Sequence, residues 1–121
     1  MSIGWEIDRA IAAHSLWKAQ LRGAIDSRTL DTPVGTLERD DQCAFGRWLH
    51  GPALSPEQRA SAGYALVLRL HAQFHEVAAR VARLALAGEK SEAEELIGAG
   101  FSGISTQLAA ALIAWKKDVG A

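Results

Sequence analysis

SPEQRASAGYALVLRLHAQFHEVAARVARLALA, residues 55–87, decides the fold class of this 121-residue chain. Ser55-Pro56-Glu57-Gln58 reads as a helix start, with a serine cap, proline in the first turn and a glutamine placed for a capping box. From there Tyr64, Val67 and Leu68, His71, His75, Ala78, Val81 and Ala85 recur at the spacing of one helical face. The pattern predicts a helix to about Ala87, stopped by Gly88. Two histidines stand on its apolar stripe, and they set the question for the rest of the chain.

Working outward, Ile3, Ile7, Ile11, His14, Trp17, Leu21 and Ile25 form a second such stripe and predict one long N-terminal helix. Residues 28–36, containing Thr32-Pro33-Val34-Gly35, read as a loop. A short helix is expected from Asp40 or Asp41, either of which can cap it, to His50-Gly51-Pro52, where it must stop. Ser91 and Glu94 form the pattern of a further capping box. They open a last helix whose stripe is Ile97, Phe101, Ile104, Leu108, Leu112, Trp115 and Val119. Gly98, Gly100 and Gly103 each cost it roughly 1 kcal/mol relative to alanine, so a kink or break is expected there. With no strand pattern, the fold class is all-α. The expected architecture is an antiparallel four-helix bundle, three long helices and a short one carrying the cysteine, in a single domain over residues 1–121.

Hydrophobic residues make up 49% of the chain and charged residues 22%, with a formal net charge of -1. Acidic and basic residues are interspersed, so no basic face invites nucleic acid or a membrane surface. No apolar run approaches the ~18 residues that a membrane span needs. Met1-Ser2-Ile3-Gly4-Trp5-Glu6 lacks the basic start and apolar stretch of a secretory signal. One cysteine permits no internal disulfide. A soluble, cytoplasmic protein is expected.

His71 and His75, one helical turn apart, project from the same face and can bite one metal ion. A buried imidazole without a partner costs roughly 1–3 kcal/mol, so each needs a hydrogen bond, water or a metal. His14 repeats the anomaly on the N-terminal stripe. A lone histidine in such a place is ordinarily a satisfied core residue, but three inward histidines need three explanations where a metal supplies one. Cys43, read as lying in the first turn of the short helix, is the fourth candidate ligand. There unpaired N–H groups and the helix dipole favour a thiolate. Gly46 leaves space for close approach and Trp48 supplies a wall. Three imidazoles and one thiolate form a closed tetrahedral set that suits Zn2+ and disfavours calcium or magnesium. His50, beside Gly51-Pro52, reads as exposed and is left out.

His14-Ser15-Leu16-Trp17-Lys18, Cys43-Ala44-Phe45-Gly46-Arg47-Trp48-Leu49 and His71-Ala72-Gln73-Phe74-His75, in that order, resemble the chemoreceptor zinc-binding (CZB) domain family. The cysteine-to-tryptophan element is the most specific part. The resemblance implies a helical bundle with one zinc held by three histidines and a cysteine, usually a dimer. It implies a bacterial sensor of zinc or oxidants that serves chemoreceptors and diguanylate cyclases. It carries ligand roles to His14, Cys43, His71 and His75, and a packing role to Trp17, Gly46, Phe74 and Trp48. No signalling or cyclase segment is recognisable in the chain, so the output is expected in a partner, or the chain is a fragment.

No enzymatic activity is expected. The histidine pair lacks the glutamate of a zinc-protease helix, and four protein ligands leave no open coordination position. Two alternatives stand beside the sensor: a structural zinc site in an adaptor protein, and a haem- or iron-binding bundle using the histidines as axial ligands.

Overall fold

The computed structural model describes residues 3–120, which are predominantly helical and contain no strand. Met1 and Ser2, part of the stretch read as lacking a secretory signal, lie outside the described residues. Helices α1 (Ile3–Ser15) and α2 (Trp17–Ser27) replace the single N-terminal helix expected from periodicity. The ladder breaks at Leu16, whose N–H reaches back only to Ala13 (3.4 Å). Ser15 contributes to the break by donating its hydroxyl to the Ala12 carbonyl (2.8 Å), a side-chain competitor for the helical bond. Helix α2 closes on Arg28 in the left-handed region. The expected loop contains one helical turn, α3 (Val34–Leu37), entered from Pro33, and it buries Leu37.

Cys43 is the N-cap of α4 (Ala44–His50) rather than a first-turn residue. The Ser55–Gln58 capping box forms as expected, but it opens only the short α5 (Pro56–Arg59). The chain restarts at Ser61, whose hydroxyl accepts from the Tyr64 N–H and caps the 25-residue α6 (Ala62–Leu86). Gly88, at φ +80, turns the chain out of α6.

The Ser91–Glu94 box does not form. Helix α7 (Lys90–Leu96) begins two residues early, from Glu89, placing Ser91 inside the helix and exposed. The break expected at the glycines takes the form of a π-helical turn, Ile97–Phe101, before α8 (Ser102–Gly120). Ser102 donates its hydroxyl to the Ile97 carbonyl (2.8 Å) across that turn.

Helix α6 lies at the centre, packed against α2, α3, α7 and α8, while α1 packs against α8 and α4. Trp115, Phe74, Phe101, Ile7, Leu21, Leu49, Leu108 and Leu112 are all under 2% exposed. Burying an aliphatic or phenyl side chain of this kind stabilises the fold by about 1.5–3 kcal/mol. Lys116 pairs with Asp8 (2.8 Å) and ties α8 to α1, although such an exposed pair contributes little. The helical unit Lys90–Val119 is long and apolar enough to cross a membrane by length and composition alone. In this fold its apolar stripe, from Ile97 to Trp115, is buried against the other helices.

Candidate metal centre

Three segments far apart in the chain bring their polar side chains to one point. His14 comes from the last turn of α1, Cys43 from the cap of α4, and His71 and His75 from successive turns of α6. One donor atom from each lies within 4.8 Å of all the others. The Cys43 Sγ stands 3.4 Å from His71 Nε2, 3.6 Å from His75 Nε2 and 3.9 Å from His14 Nε2. His71 Nε2 is 3.1 Å from both other Nε2 atoms. A tetrahedral zinc site with Zn–N of about 2.0–2.1 Å and Zn–S of about 2.3 Å has N···N edges near 3.3 Å and N···S edges near 3.6 Å. The donor spacing fits that cage.

Backbone carbonyls orient two of the rings. His14 Nδ1 donates to the Ala10 carbonyl (2.7 Å) and His75 Nδ1 to the Leu37 carbonyl (2.9 Å). Those bonds assign the proton to Nδ1 and leave an Nε2 lone pair aimed into the cluster. A proton on His71 Nε2 could serve only one of its three neighbours there, and with that proton on Nδ1 the three Nε2 lone pairs face one another. A cation at the centre satisfies them all. His71 Nδ1 is buried without a hydrogen-bond partner among the described residues.

Burial keeps the imidazoles neutral, as metal binding requires. It lowers the His14 pKa to about 4, against a smaller raising effect from the Ala10 carbonyl. His71 falls to about 2, again chiefly through burial and further through its histidine neighbours. His75 is lowered for the same first reason.

The thiol reverses the sequence expectation. Burial raises the Cys43 pKa, outweighing the lowering by the Gly46 N–H, which donates to Sγ (3.2 Å). A thiolate here therefore depends on a cation, which a metal ion supplies.

Aromatic rings wall the site. Phe74 meets His14 edge-on at 4.9 Å and His75 at 5.6 Å, and Phe45 meets His71 at 5.2 Å. Trp48, expected as a direct wall, lies a layer further out, stacked on Phe45 and tilted against Trp115. Gly46 is buried so tightly that an added Cβ would sit 1.8 Å from the Asp40 carbonyl oxygen. His50 is exposed and pairs with Asp40 (3.0 Å), outside the cluster. Sequence reasoning missed the carbonyls of Ala10 and Leu37, because a backbone acceptor carries no side-chain signature.

Comparison with known proteins agrees with this geometry. The model of one family, the chemoreceptor zinc-binding domain, matches residues 14–82, running from His14 past both histidines of α6. No curated protein and no solved structure matches the chain. The family match covers more than half of the 121 residues and contains all four converging side chains. On that match, the chain belongs to the chemoreceptor zinc-binding domain family.

Proposed function

We propose that His14, Cys43, His71 and His75 bind one Zn2+ and that the chain is a sensory domain that responds to zinc or to oxidants. The observation that carries this reading is the convergence of one sulfur and three lone-pair nitrogens from α1, α4 and α6. Bound there, zinc would supply positive charge that holds the sulfur as a thiolate and fixes three imidazoles around it. Because the ligands belong to separate helices, occupancy constrains how α1 and the start of α4 sit on α6. Oxidation of Cys43 would remove the one anionic donor and release that constraint. The haem alternative needs a flat slot between axial imidazoles, and Nε2 atoms 3.1 Å apart offer none. Four protein donors on one ion also leave no position for a substrate, which supports a non-enzymatic role.

The same reading includes a single, antiparallel four-helix arrangement over residues 1–121, a cytoplasmic location without nucleic-acid or membrane partners, and a homodimer. The dimer would pass its signal to a chemotaxis or cyclase output domain or partner. Exposed Leu16, Leu66 and Leu86 offer apolar surface for association, whereas Leu84 is half-buried against the core.

Elemental analysis of the purified protein tests the site. One zinc per chain is expected, with loss of metal in each of the variants His14→Ala, Cys43→Ala, His71→Ala and His75→Ala. A Cys43→Ala protein that binds zinc as tightly as wild type would defeat the redox part. Affinity and exchange at cellular zinc levels separate a sensor from a purely structural site.

A further inference from the structure

The cluster is screened unevenly. His71 and His75 are 0% and 2% exposed and His14 is 6% exposed, whereas Cys43 is only half-buried. A cleft of about 80 Å3 reaches His14 and Cys43, lined by Glu6, Arg9, Ala13 and Trp17 on one side and Ala44 on the other. A water molecule occupies about 30 Å3 of liquid, so this volume suits a small ion shedding its hydration shell. It is too small to let a polydentate chelator surround the ion in place. Glu6 is the one carboxylate among the lining residues, and Arg9 holds its guanidinium over the Trp5 ring (4.7 Å).

We propose that this cleft between α1 and the start of α4 is the route by which the metal enters and leaves the cluster. Glu6 draws the cation to the mouth, and His14 and Cys43 are its first and last protein contacts inside. On the opposite side, His71 and His75 are backed by α6 and its core neighbours, including Phe74. The proposal rests on the zinc reading above. It adds that ligand exchange is gated by residues which never touch the bound ion. It also implies that zinc transfer to a chelator proceeds at a rate independent of chelator concentration.

The test uses the full chain and two plugs placed on opposite lips, Ala13→Trp and Ala44→Trp, both at exposed helical positions. Stopped-flow uptake of zinc, and its transfer to a chromophoric chelator, should both slow by about tenfold in each plugged protein. A barrier on the path changes both rates and leaves their ratio, the affinity, at the wild-type value. Glu6→Gln should slow uptake several-fold at low ionic strength, and the difference should close as salt screens the charge. Alkylation of Cys43 by iodoacetamide in chelator-treated protein provides an arm that needs no metal and should slow in the same two variants. Zinc rates at wild-type values in both plugged proteins, whether or not alkylation slows, would overturn the route. Failure of the zinc reading is distinguishable: the wild-type protein would then take up no zinc while the plugs still slowed alkylation. Circular dichroism identifies a variant that has not folded, and the other lip then decides.

Discussion

Gly46→Ala is the sharpest probe of how the fold positions Cys43. The new Cβ would fall 1.8 Å from the Asp40 carbonyl oxygen, 2.8 Å from its carbon and 3.1 Å from the Asp41 Cα. Carbon and oxygen approach closely at about 3.3 Å, so the α4 start and the Asp40–Asp41 backbone must separate by about 1.5 Å. Backbone atoms cannot swing aside as a side-chain tip can. The shift therefore falls on the cap itself, where the Gly46 N–H donates to Cys43 Sγ. A zinc–sulfur distance tolerates only about 0.2 Å, so the sulfur leaves the cage. Overpacking of this kind costs the metal-free fold about 1–3 kcal/mol. Zinc affinity should fall by at least the 10–100-fold seen when an outer-shell partner is lost. Competition titration against a chromophoric chelator measures the affinity, and urea unfolding of metal-free protein measures the stability. Gly23→Ala is the control. Nothing lies within 4 Å of its added Cβ, so it should raise stability by up to about 1 kcal/mol and leave affinity unchanged. A Gly46→Ala protein with wild-type zinc affinity would refute the reasoning.

The metal-free protein should lose stability as pH falls from about 6.5, where unfolded histidine begins to charge, toward the folded pKa values of about 4 for His14 and about 2 for His71. Because the lowered values disfavour protons in the fold, stability is present above that window and lost through it. His14 alone accounts for about 3 kcal/mol, readable from urea midpoints across pH. A flat profile between pH 4 and 7 would contradict the burial of the three rings, at about 1.4 kcal/mol per ring and pH unit. Zinc binding near neutrality should release about one proton, from Cys43 and not from already-neutral imidazoles, so affinity should climb about tenfold per pH unit toward the raised thiol pKa. Calorimetry in buffers of different ionisation enthalpy counts that proton, and release of three would reverse the assignment. Phe74→Ala should cost about 3–5 kcal/mol, since the ring is 0% exposed and touches His14, His75 and Phe101. Phe74→Leu should recover most of the stability in the same urea assay.

Much of this protein was determined by its sequence alone. Helical period placed His14, His71 and His75 on apolar stripes, and burial of those faces was the cheapest way to hide them, so three inward imidazoles followed from spacing. The order of the histidine and cysteine elements likewise carried the family. Tertiary structure decided what periodicity cannot encode. Periodicity reports which face is apolar but is blind to local hydrogen-bond competition. Leu16 thus breaks one predicted helix, Ser61 restarts another, and the Ser91 box yields to a start at Glu89. Charge state was likewise undecided. A helix start argued for a Cys43 thiolate, yet burial raises its pKa, because desolvation depends on what packs around an atom rather than on its neighbours in sequence. The carbonyls of Ala10 and Leu37, which aim two imidazoles, and the backbone of Asp40, which admits only glycine at position 46, became visible only once the chain had folded on itself.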